Sequence, residues 1–260
     1  MTQLRGYGAA AGLDPEVAEP LAARCAELGF ASMWSNDHPA ASGLETLGVF
    51  AAGSDKLDLG VGVLALDRHS PAEIDAKITE VGLDRSKLWI GVGAGFSEKP
   101  LTRMREAVGE LREAVADVKL VLAAMGPKMC ELAGSDYDGA FFNWMTPSFA
   151  RQARERVEQG AADAGREMPP IFGYVRTAVG PDAETRLAKE EGFYRDLHDG
   201  YRNHFERLGE RPGSVGVAFE RTEEIGPALE SYAALDTIVV RGLASAKLDA
   251  MVKVATAAAT

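Results

Sequence analysis

Basic charge is scarce in this chain. Its 28 lysines and arginines face 39 aspartates and glutamates, a formal net charge of −11 over 260 residues. That deficit argues against a nucleic-acid or anionic-membrane partner, either of which needs a basic face. Cysteine is scarcer still: Cys25 and Cys130 stand alone, so neither a disulfide framework nor a structural zinc site is expected. The four histidines lack ligand spacings such as H-E-x-x-H, so no metal is expected. No segment approaches the roughly 18 consecutive apolar residues of a membrane span, and the N-terminus has no apolar run long enough for a signal peptide. A soluble cytoplasmic protein is the expectation. Walker, G-x-S-x-G and kinase signatures are missing, which removes the commonest nucleotide and acyl-transfer chemistries. No repeat, low-complexity tract or linker divides the chain, and residues 1–260 are expected to form one domain.

What is present is alternation. Short apolar runs at Leu4–Gly8, Ser32–Asn36, Leu57–Leu64, Leu88–Gly93, Val118–Ala123, Gly139–Asn143, Ile171–Ala178 and Asp236–Arg241 read as strands. Helical patterns lie between them. Asp14–Leu28 has Asp14 as N-cap and Pro15 in its first turn. Ser70–Val81 opens on a capping box, Ser70 with Glu73. Glu98–Val115, Pro147–Ala164 and Asp182–Leu208 read as long helices charged on one face, a further helix is expected near Glu223–Ala234, and Ala244–Thr260 reads as a closing helix. Eight strands, each followed by a helix, predict an α/β fold of the (β/α)8 TIM-barrel type.

In such a barrel the ligand site lies at the C-terminal ends of the strands. Those ends read Asn36-Asp37-His38, Asp67-Arg68-His69, Gly93-Ala94-Gly95-Phe96, Met125-Gly126-Pro127-Lys128, Asn143-Trp144, Arg176-Thr177 and Arg241-Gly242. After the fifth strand, Gly126 allows close backbone approach. Pro127 suits a first helical turn, whose free amides form an anion site. Asp37-His38 is the leading acid/base candidate; the competing reading has His38 capping a loop and Asp37 capping the next helix. His69 reads as a site residue or as loop packing. His198 and His204 read as a solvated helix face. Phe96 and Trp144 could stack on a planar ring or pack the rim and core. Gly91-Val92-Gly93-Ala94-Gly95 matches only part of a dinucleotide fingerprint.

Four segments, in order and at barrel spacing, resemble the luciferase-like flavin and deazaflavin barrel family, and most of all its coenzyme F420 branch. They are Ala26–His38, Leu59–Leu64 continuing to Arg68-His69-Ser70-Pro71, Leu88–Gly93, and Ala124–Met129 with Leu132-Ala133-Gly134, Asp138-Gly139 and Asn143-Trp144. The resemblance implies hydride transfer between F420 and a small organic substrate. FMN is the alternative cofactor, in a monooxygenase or a non-catalytic flavin-binding barrel. A hydrolase or isomerase using Asp37 and His38 is the remote alternative. The resemblance also implies a cis peptide at Gly62–Val63 beneath the cofactor ring, with His38 and Asp37 as catalytic residues near its reacting edge. Gly126, Pro127 and Lys128 are the implied phosphate contact. The full cofactor set expected is Gly62, Val63, Gly93, Ala94, Phe96, Met125, Gly126, Pro127, Lys128 and Asn143. Lys128, Arg68, Arg151 and Arg176 are candidate cations for a polyanionic tail. A homodimer is the family expectation. Two departures stand out: a shortened insertion after the fourth strand, and Phe96 where sugar-phosphate-oxidising members carry a glutamate acid.

Overall fold

A computed structural model describes residues 3–259. Nine strands are present: β1 (Leu4–Ala9), β2 (Ser32–Ser35), β3 (Asp58–Ala65), β4 (Leu88–Gly93), β5 (Lys119–Ala123), β6 (Gly139–Asn143), β7 (Ile171–Val179), β8 (Val217–Phe219) and β9 (Thr237–Gly242). Eight of them close a parallel barrel in the order β1-β2-β3-β4-β5-β6-β7-β9, with β9 pairing back onto β1. The three-residue β8 is an addition outside that ring, pairing only with the end of β7 through Thr177 and Val217. It lies in the long segment before the last strand and is too short for sequence periodicity to reveal.

The helices are α1 (Pro15–Glu27), α2 (Gly43–Gly53), α3 (Pro71–Val81), α4 (Pro100–Ala114), α5 (Pro127–Asp136), α6 (Pro147–Asp163), α7 (Ala183–Leu197), α8 (Asp199–Leu208), α9 (Ile225–Glu230) and α10 (Leu248–Ala258). The predicted caps operate. The Asp14 side chain accepts from the Glu16 N–H, and Ser70 and Glu73 close a reciprocal box at the start of α3. A single helix, α4, joins β4 to β5. The segment read as one helix over 182–208 is two. At His198 the backbone turns extended (φ −163°, ψ 146°), and its Nδ1 accepts from the Gly200 N–H to cap α8. A side chain that caps locally competes with helix continuation, which the amphipathic pattern alone does not reveal. The sequence reading gave no bounds to the helix after the second strand, α2, which Ser42 caps by accepting from the Glu45 N–H.

The barrel interior is filled below its mouth. Trp34, Val121, Phe141, Phe172, Tyr174 and Val239 form a separate buried cluster. Trp34 on β2 meets Phe141 on β6 at 4.9 Å and Phe172 on β7 at 5.0 Å between ring centroids. These strands are not neighbours, so the contacts run across the barrel axis. Gly60 makes this possible, since a Cβ there would lie 2.3 Å from the Trp34 ring. The larger core lies between strands and helices and includes both cysteines. Burial pushes each thiol up to about 12, so neither is poised as a nucleophile. No described helix is long and apolar enough to cross a membrane.

Candidate active site

Above the aromatic plug the strand ends open into a cavity of about 200 Å³. Asn36 and Asp37 follow β2 into it, Gly62 and Val63 belong to β3, Ala123, Ala124 and Met125 come from the end of β5, Phe141 and Asn143 from β6, Tyr174 and Arg176 from β7, and Arg241 from β9. Tyr194 of α7 and Tyr201 of α8 complete the wall. The broken helix pair thus contributes directly to the mouth. Among the described residues no group of three or more His, Cys, Asp or Glu side chains is arranged to hold a metal ion.

Of the expected catalytic and cofactor residues, five line the cavity: Asp37, Gly62, Val63, Met125 and Asn143. The Gly62–Val63 peptide is cis, and the register between β3 and β4 shifts there, between Val61 and Leu64. Gly93 and Ala94 are buried beneath this segment rather than in the cavity. A Cβ on Gly93 would meet the Val63 side chain at 3.2 Å. Phe96 is 68% exposed and leans edge-on against the His198 ring at 5.1 Å. Gly126 is the N-cap of α5, with no side chain capping the helix, and a Cβ placed on it would meet nothing within 4 Å. Pro127 opens that helix at the edge of the mouth. The Lys128 side chain instead lines a groove on the outer surface with Arg105, Glu131, Asp136 and Asp163. Lys128 is not among the residues that line the cavity.

Asp37 is the best-connected group of the rim. Its Oδ2 accepts from His69 Nε2 (2.8 Å) and Arg68 Nη2 (2.9 Å), and its Oδ1 accepts from the Gly43 N–H at the start of α2 (3.1 Å). The carboxylate is only 3% exposed and ties the loops after β2 and β3 together. Arg68 is therefore spent on Asp37 rather than free for an anionic tail. His69, rather than His38, is the imidazole that Asp37 holds. His38 lies outside the cavity, exposed on the rim, with Nδ1 accepting from the Ala40 N–H (3.2 Å). That bond fixes the neutral ring's proton on Nε2 and leaves that atom free.

Two further readings need correction. Arg176, expected on the open rim, is 3% exposed. Its Nη1 donates to the Asn143 side-chain oxygen, and its guanidinium stacks 4.1 Å above the Trp144 ring and 5.1 Å from Tyr194. Trp144, at positive φ (53°), is core: it packs on Phe205, and its carbonyl accepts from His204 Nε2 at 2.7 Å. His204 is consequently buried, not solvated, and burial pushes its pKa down from 6.5. Tyr174, Tyr194 and Tyr201 were missed altogether. Alternation along β7 carried a signal for the first, because Phe172, Tyr174 and Arg176 share the inward face.

Fold and cavity define a (β/α)8-barrel protein with a cavity at the C-terminal ends of its strands. The model of the luciferase-like monooxygenase family matches residues 110–246, and the chain belongs to that family. A 5,10-methylenetetrahydromethanopterin reductase from Methanolobus tindarius is 29% identical over 196 residues, covering 62% of this chain and 60% of that protein. Two solved structures align over nearly the whole chain. The coenzyme F420-dependent tetrahydromethanopterin reductase from Methanopyrus kandleri superposes with a TM-score of 0.78 at 17% identity, covering 98% of each chain. An F420-dependent secondary alcohol dehydrogenase, in complex with an F420-acetone adduct, gives 0.75 at 17% identity, covering 99% of each.

Proposed function

We propose that this chain is an oxidoreductase that binds coenzyme F420 across the barrel mouth and exchanges a hydride with a small organic substrate in the cavity. The observation that carries this reading is the continuous surface formed by Gly62, Val63 and Met125, running to the uncapped start of α5 at Gly126. The similarity to reductases and dehydrogenases that use F420 supports it. The residues fit the group. Gly62 and Val63 offer a side-chain-poor backbone wall for a planar ring. Gly126 offers open approach to the first free N–H groups of α5, which suit a phosphate. The aromatic plug closes the cavity below, and Tyr194 and Tyr201 form part of its wall.

When bound, the deazaflavin supplies the hydride acceptor or donor. The chain's own part is orientation and proton management. Asp37 fixes the rim loops. Proton transfer is assigned to His38, exposed on the rim with its Nε2 free.

Retention of cofactor tests the reading. The purified protein is incubated separately with F420 and with FMN, desalted, and scanned. Retention of the violet-absorbing deazaflavin is expected. A protein that keeps yellow FMN and not F420 is a flavin protein instead, in line with the monooxygenase description of its family. Gly126→Val should leave the melting temperature unchanged, because its Cβ has open space, yet weaken coenzyme binding at least about tenfold. Equal retention by the variant would move the phosphate site elsewhere.

A further inference from the structure

The floor of the cavity is cationic in an acidic protein. Arg176 is all but fully buried, and among the described residues it makes no ion pair. Its one hydrogen bond goes to a neutral acceptor, the Asn143 side chain, and its Nε has no partner. The aromatic rings of Trp144, Tyr194 and Tyr174 surround it. A second guanidinium, Arg241, lies 6.0 Å from the Tyr174 ring and makes only a long bond, 3.4 Å, to Asn36 Oδ1. The Tyr174 hydroxyl, also buried, has no hydrogen-bond partner. One acid lines the cavity, Asp37, and both its oxygens are already taken by His69, Arg68 and the Gly43 N–H.

A buried charge without a counter-charge is costly, and an arginine cannot relieve the cost by losing its proton. Natural interiors rarely leave donors unmet. Here Arg176, Tyr174 and the loosely held Arg241 all line the same small cavity. A planar oxyanion satisfies all three, because the guanidinium fork matches carboxylate geometry. The aromatic walls leave room for only a small organic body.

We propose that this floor is a subsite for the carboxylate of a small organic acid, taken by Arg176, Arg241 and the Tyr174 hydroxyl, and that the substrate is therefore an organic acid anion. Naming that anion a substrate rests on the redox reading above; its binding does not. Calorimetry on the protein without coenzyme, at fixed ionic strength, compares benzoate with benzamide and propionate with propionamide. Each carboxylate should bind at least about tenfold more tightly than its amide, and R176Q and R241Q should each remove most of that preference while R176K keeps part of it. Should R176Q fail to fold, R241Q, at a half-buried position, decides. Amides binding as well as carboxylates, a preference unchanged in R241Q, or inorganic phosphate binding in place of either carboxylate would each overturn the proposal. F420 retention, measured in parallel on the same preparations, separates the two ideas. A parent protein that retains F420 but shows no carboxylate preference ends the subsite alone. Carboxylate binding without F420 retention ends the F420 reading alone. Should R176Q and R241Q weaken F420 retention while the parent shows no carboxylate preference, the arginines belong to the coenzyme and the subsite falls.

Discussion

At the residue scale, two imidazoles on one rim have different prospects. His38 is exposed with a free Nε2, whereas His69 is committed to Asp37. His38→Ala should lower turnover by about 10²–10⁴ with coenzyme retention intact, measured by single-turnover oxidation or reduction of bound deazaflavin. If His69→Ala carries the loss and His38→Ala does not, the Asp37-held ring is the proton carrier. A third histidine bears on stability. Burial depresses the pKa of His204 below 6.5, so the unfolded chain takes up a proton there before the folded one does. Its contribution is full above pH 6.5 and is lost as pH falls from 6.5 toward the depressed folded value. Melting curves at pH 7.5 and 5.5 should therefore show a larger fall in Tm for the parent than for His204→Asn. An equal fall in both would mean that other groups dominate acid sensitivity.

At the scale of elements, the α7–α8 corner decides what closes the mouth. His198 ends one helix and caps the next, and this corner delivers Tyr194 and Tyr201 to the cavity wall. His198→Leu removes the acceptor for the Gly200 N–H. Hydrogen exchange at the start of α8 should speed up several-fold, with little change in the global Tm, since the cap is exposed and local. Unchanged exchange would show that the backbone holds the corner unaided. This is also where sequence reading lost its grip. The barrel strands and the α1 and α3 caps were legible because short apolar runs and Asp-Pro or Ser-x-x-Glu signatures act locally. Asp37, Met125 and Asn143 were legible as cavity residues because strand ends converge in a barrel, whereas Gly62 and Val63 came from the resemblance to the luciferase-like family. The burial of His204 under Trp144 depends on tertiary packing, which no local pattern encodes, and the break at His198 is a local cap that the amphipathic pattern does not show.

At the scale of the whole molecule, the acidic charge of −11 and the cationic cavity floor oppose one another. The acidic exterior repels anions at long range, so an anionic ligand should associate faster as added salt screens that field. The plug made by Trp34, Phe141 and Phe172 adds a consequence for order in time. A tunnel lets two visitors come and go independently; a blind shaft makes them queue. Whatever reaches Tyr174 and Arg176 has to arrive before anything settles across the opening above, and it leaves last. Steady-state kinetics should accordingly be compulsory-order, with the deep ligand first. Rapid mixing of a carboxylate with protein already loaded with coenzyme should give a binding rate capped by coenzyme release, independent of carboxylate concentration. A rate that keeps climbing with concentration would reveal a second door.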